Sequence, residues 1–111
     1  MPVFVYQTFQ IKQEKFKEAI ENLHEMKNYR NKNYSHQMEI LTPITGPDHT
    51  YAVLSTYEGL AEMELQNKKM FADEEYLKII GSFFLDNIVQ GSMNTQLYRT
   101  LNEKKPESKK E

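Results

Sequence analysis

The sequence predicts an α+β fold, a four-stranded antiparallel sheet with helices on one face. Three observations predict it. Four stretches alternate with the period of two that a half-buried strand requires. Long segments with helical periodicity separate the first strand from the second and the third from the fourth. The two middle strands are joined by a connection punctuated by Pro43, Gly46 and Pro47. The resulting order, strand–helix–strand–strand–helix–strand, is the ferredoxin-like βαββαβ arrangement.

The first strand is Val3 to Ile11. Val3, Val5, Phe9 and Ile11 fall on one side and Phe4 and Tyr6 on the other, so both faces carry apolar groups. The first helix runs from Lys12 to about Asn33. Phe16, Ala19, Ile20, Leu23 and Met26 recur at helical spacing, and the polar run Asn28–Asn33 marks its fading end. The central hairpin follows. His36, Met38 and Ile40 share one face of its first strand, and Gln37, Glu39 and Leu41 share the other. Gly46-Pro47-Asp48-His49 reads as its turn, with glycine for an unusual φ and His49 solvated beside Asp48. Tyr51, Val53, Ser55 and Tyr57 then line one face of the third strand, with Ala52, Leu54 and Thr56 behind them.

Residues 58–90 read as interrupted helix, either one kinked element or two. Asp73 is placed to cap a second segment carrying Tyr76, Leu77, Ile80, Phe83, Phe84 and Ile88, and Gly81 marks a kink, a close contact or a break. Gly91 is expected just beyond the helix end. Met93 to Leu101 forms the last strand, with Met93, Thr95, Leu97 and Arg99 on one face and Tyr98 on the other. The expected division is a folded domain over residues 1–101 and a disordered, charged tail over 102–111.

Composition narrows the function. With no cysteine, disulfides, thiolate chemistry and cysteine-based zinc sites are excluded. The net charge of -2 and the mixed signs of the tail, Lys104, Lys105, Lys109 and Lys110 against Glu103, Glu107 and Glu111, give no basic stripe for nucleic acid. No apolar run reaches membrane-spanning length and no apolar signal core precedes the first strand, so a cytoplasmic, membrane-free protein is the expectation. His24, His36 and His49 show no metal-ligand spacing, and no metal is expected.

Helices are available for one sheet face, yet Phe4, Tyr6 and Tyr98 leave apolar surface on the other. A patch of that kind calls for a partner, and pairing two copies across a two-fold would cover it. At this point the chain resembles the dimeric α+β barrel superfamily. The resemblance is carried by Glu39–Gly46 (EILTPITG), Tyr51–Ala61 (YAVLSTYEGLA) and Ala72–Tyr76 (ADEEY), over roughly residues 3–101. The step from strand to helix over Tyr57–Glu64 and the ADEEY helix start look most like its NIPSNAP-like branch, beside the antibiotic-biosynthesis monooxygenase-like proteins.

The resemblance implies a homodimer, with a pocket between sheet and helices in each subunit. The expected ligand is a small apolar or aromatic molecule, and the alternative is a cofactor-independent monooxygenase or isomerase acting on one. A module that uses its sheet only to dimerise is a third possibility. Haem, used by some relatives through a histidine in the later helical region, is not expected, because residues 60–90 contain no histidine. No cofactor is expected. The residues singled out for a site are His36 as a neutral imidazole base, with Tyr6, Tyr51, Tyr57, Tyr98 and Arg99 as ligand-binding groups.

Overall fold

The sheet in the computed structural model, which describes residues 1–101, is assembled from β1 (Val3–Gln10), β2 (Gln37–Leu41), β3 (Thr50–Tyr57) and β4 (Asn94–Arg99). Their order across the sheet is β2-β3-β1-β4, and every pairing is antiparallel. The charged tail expected over 102–111 lies outside the described residues.

Register sorts the side chains into two faces. Val3 opposes Tyr57 and Arg99, Val5 opposes Ser55 and Leu97, and Ser55 in turn opposes Met38. These residues share the face toward the helices, with Gln7, Phe9, Tyr51, Val53 and Thr95. Phe4, Tyr6, Leu54 and Tyr98 lie on the face that no helix among the described residues covers, where Tyr98 is 53% exposed.

Helix α1 (Phe16–Asn33) follows a 3₁₀ turn at Gln13–Lys15. Its buried stripe is Ala19, Asn22, Leu23, Met26 and Arg30. The helix ends at Asn33, as expected, and runs unbroken through Asn28–Asn33, so its last two turns place Arg30 on the apolar side. The segment after β3 is two α-helices, α2 (Leu60–Phe71) and α3 (Glu74–Ser82), followed by a π turn at Phe83–Asn87. α3 gives way to the π turn at Ser82–Phe83, one residue beyond Gly81, and the break between α2 and α3 falls at Ala72–Asp73. There the Asp73 carboxylate accepts the Tyr76 N–H at 3.2 Å, the N-cap bond expected for it. Gly81 lies inside α3 with open space where a Cβ would sit, so close helix contact is not its role.

Two glycines are required by backbone geometry. Gly46 in the β2–β3 connection has φ +88° and Gly91 before β4 has φ +82°, both in the left-handed region. Gly91 sits in a turn four residues beyond the π turn, because Ile88 first bridges back to Ile11. His49 is less solvated than expected. Its ring packs edge-on to Phe16 at 6.2 Å, with Nδ1 buried.

The dense core occupies one end of the sandwich. Phe9, Ile11, Leu23, Met38, Tyr51, Val53, Phe83 and Ile88 pack there, with Phe9 and Phe83 edge to face at 5.0 Å. A buried amide pair locks the π turn to α1: Asn87 donates to Asn22 Oδ1 at 3.2 Å, and Asn22 donates to the Ile79 carbonyl at 3.1 Å. Toward the opposite end the side chains on the covered face shrink or turn polar, at Gln7, Ser55 and Thr95. The helices do not fill the space above them.

Candidate functional site

That unfilled space is a cavity of about 310 Å³ between sheet and helices. Val5, Gln7, Ser55, Tyr57, Thr95 and Leu97 form its floor. Met26 and Arg30 of α1, Met63 and Met70 of α2, and Tyr76 and Ile80 of α3 form its roof. Phe71 and Leu97, the most exposed of the large apolar lining residues at 74% and 51%, mark its mouth beside β4. For scale, an apolar cavity of about 150 Å³ suffices to take benzene. This one has room for a substituted ring or a fused pair.

One wall is polar and centred on Arg30, which is 6% exposed. Its Nε–H donates to His36 Nε2 at 2.9 Å. One terminal nitrogen, Nη2, donates to Ser55 Oγ at 3.1 Å and to the Tyr57 hydroxyl at 3.0 Å. The Tyr76 hydroxyl is close enough that Arg30 lowers its pKa against the rise imposed by burial. Burial likewise raises the pKa of Tyr57, and Arg30 partly offsets it.

The arginine fixes the state of His36. Nε2 accepts a hydrogen bond, so the proton of the neutral ring is on Nδ1, which is buried without a partner among the described residues. Burial first, and the neighbouring guanidinium second, push the His36 pKa down to about 4. The ring is sandwiched by Tyr57 at 4.5 Å and Tyr34 at 5.9 Å. At neutral pH it is an uncharged acceptor whose lone pair is already engaged.

A second polar cluster braces the helices around the cavity. The hydroxyls of Tyr29 and Tyr34 both donate to Asp73 Oδ2, Tyr29 at 2.7 Å. These bonds hold the Asp73 carboxyl below its usual range, and they push the Tyr29 hydroxyl up to about 12. Ser35 donates to Glu62, and Gln66, 3% exposed, donates to the same carboxylate at 3.0 Å. The loop before β2 is thus tied to both α2 and α3, the helices that roof the cavity.

The structure brings two of the six residues singled out from sequence, His36 and Tyr57, together around Arg30. Tyr51 shares their sheet face but lies six residues along β3 from Tyr57, about 20 Å away at strand spacing, in the dense core and tilted against Phe16. Arg99 faces the helix side of edge strand β4 and is exposed. Tyr6 and Tyr98 lie on the opposite face of the sheet. Sequence reading missed Arg30, Tyr76, Tyr34 and Asp73's second role. Arg30 had a signal: it continues the Ala19–Leu23–Met26 spacing by one turn, a cation on an apolar stripe.

Solved structures share this architecture. An uncharacterized NIPSNAP domain protein from Burkholderia xenovorans superposes with TM-score 0.74 at 11% identity, covering 89% of this chain and 94% of that one. A putative antibiotic biosynthesis monooxygenase from Nitrosomonas europaea gives 0.72 at 11% identity, covering 90% of each chain. SnoaB, a cofactor-independent oxygenase from Streptomyces nogalater, gives 0.69 at 9% identity, covering 92% and 95%. No protein-family model and no curated protein matches the chain. The chain therefore has the ferredoxin-like α+β fold of these NIPSNAP-domain and monooxygenase proteins, as the sequence resemblance implied.

Proposed function

We propose that this is a homodimeric binding protein that takes a small aromatic or apolar molecule into the cavity between its sheet and helices. The observation that carries the reading is the cavity itself, lined by Met26, Met63, Met70, Ile80 and Leu97 and closed at one wall by the hydrogen-bonded set around Arg30. Convergent polar groups in an otherwise apolar pocket are the usual form of a small-molecule site. Dimerisation through the uncovered face would cover Phe4, Tyr6, Leu54 and Tyr98 and leave the cavity, on the other face, intact.

An enzymatic reading is favoured by a specific observation, the convergence of His36, Tyr57 and Tyr76 around one guanidinium beside the cavity. SnoaB shows that this fold supports cofactor-independent oxygenation. If this chain acts as such a monooxygenase or as an isomerase, His36 must lose its bond to Arg30 before its lone pair can serve as a base. As the site stands, His36 orients the guanidinium.

Thermal-shift measurements with 2-naphthol and related small aromatics test the binding reading, since a ligand selective for the native state raises its melting temperature. The expected result is stabilisation of the unaltered protein and none in Met70→Trp, whose larger side chain fills the cavity. Equal shifts in both proteins would place binding elsewhere and overturn the reading.

A further inference from the structure

Among the described residues, Arg30 is a buried cation without a buried anion beside it. Its hydrogen-bond partners among the described residues, His36, Ser55 and Tyr57, are all neutral. The salt bridge found among those residues joins Lys27 to Glu39. Asp73, an acid in the helix roof, is occupied by Tyr29, Tyr34 and the start of α3. Taking a guanidinium out of water is costly unless the charge is paired. A chain selected for stability alone would place an apolar residue at this point of the α1 stripe.

Nε donates to His36 and Nη2 to Ser55 and Tyr57, and the guanidinium also reaches the Tyr76 hydroxyl; each of these groups is neutral, so none cancels its charge. The Tyr57 hydroxyl accepts from Arg30 and keeps its own hydrogen to donate. Both side chains line the cavity. His36 and Ser55 hold the guanidinium in place, so its orientation is set before any ligand arrives. That is the preorganised donor geometry that recognises a carboxylate or enolate oxygen.

We infer that the ligand is an organic acid: an aromatic or apolar body lies against the methionines of the roof, and a carboxylate or comparable oxyanion meets Arg30 and Tyr57. The inference rests on the binding reading above and adds the charge of the ligand to it. The anion would supply the counter-charge that the described residues do not provide, and His36 is a positioning residue for the arginine.

Calorimetric titration of the full-length protein with 2-naphthoate and with its neutral isostere 2-naphthamide separates the two claims. The expected result is that naphthoate binds at least about tenfold more tightly, as charge-assisted hydrogen bonds require. The preference should weaken in Tyr57→Phe, which keeps the shape of the site, and disappear in Arg30→Gln. Equal affinity for acid and amide would overturn the charge assignment and leave the pocket standing. Binding of neither would overturn both. Should Arg30→Gln fail to fold, the comparison in the unaltered protein and in Tyr57→Phe decides the matter alone.

Discussion

His36 carries the clearest pH signature at the scale of single residues. In the unfolded chain it protonates near pH 6.5, whereas in the folded protein burial and Arg30 keep it neutral down to about 4. The unfolded state therefore binds more protons across that window. Stability from this group is complete above about 6.5 and is lost as pH falls toward 4, by at most on the order of 3 kcal/mol. The charged or titratable groups against its ring are Arg30 from α1, Tyr57 from β3 and Tyr34 from the preceding loop. Urea unfolding between pH 7 and 4 is expected to give a shallower slope for His36→Gln, which keeps an acceptor for Arg30 and cannot titrate. An unchanged slope would assign the acid sensitivity to other groups. Asp73, whose folded carboxyl is held low, adds a further loss at more acidic pH in both proteins.

The packing of α1 against the π turn turns on one amide pair at the scale of elements. Asn22→Ala removes the acceptor for Asn87 and leaves a buried donor unsatisfied, at a cost of about 1–3 kcal/mol. Denaturant midpoints check this, and a loss below about 0.5 kcal/mol would mean that water replaces the bond. The elements themselves were legible in the sequence because each reports a local rule. Strand alternation separated Val3 and Val5 from Phe4 and Tyr6, and Asp73 announced the start of α3 by its capping chemistry. The site was harder to read. Asn28–Asn33 has low intrinsic helix preference, but Arg30 is held inside by His36, Ser55 and Tyr57, and tertiary bonds override propensity. No spacing along the chain relates residues 30, 36, 57 and 76. They meet because the β2–β3 register sets position 36 beside Tyr57, and because α3 packs on α1.

At the scale of the whole molecule, the sandwich is dense at the Phe9–Phe83 end and open at the Arg30–Tyr57 end, while no helix among the described residues covers the other sheet face. These features predict different things. The uncovered face predicts a dimer: light scattering should give twice the 13.2 kDa chain mass, and Leu54→Arg, near the centre of that face, should give a monomer that keeps its fold. A monomeric unaltered protein would remove the case for a barrel of two sheets. The open end predicts a binding site, and this is the central claim. Methionine methyl NMR tests it most directly, because Met26 (at the edge of the core), Met63 and Met70 line the cavity, whereas Met38 and Met93 pack in or against the core without lining it. On titration with 2-naphthoate, the resonances of Met26, Met63 and Met70 should shift together and those of Met38 and Met93 should stay in place. Shifts confined to Met38 and Met93, or none at any methionine, would contradict the account.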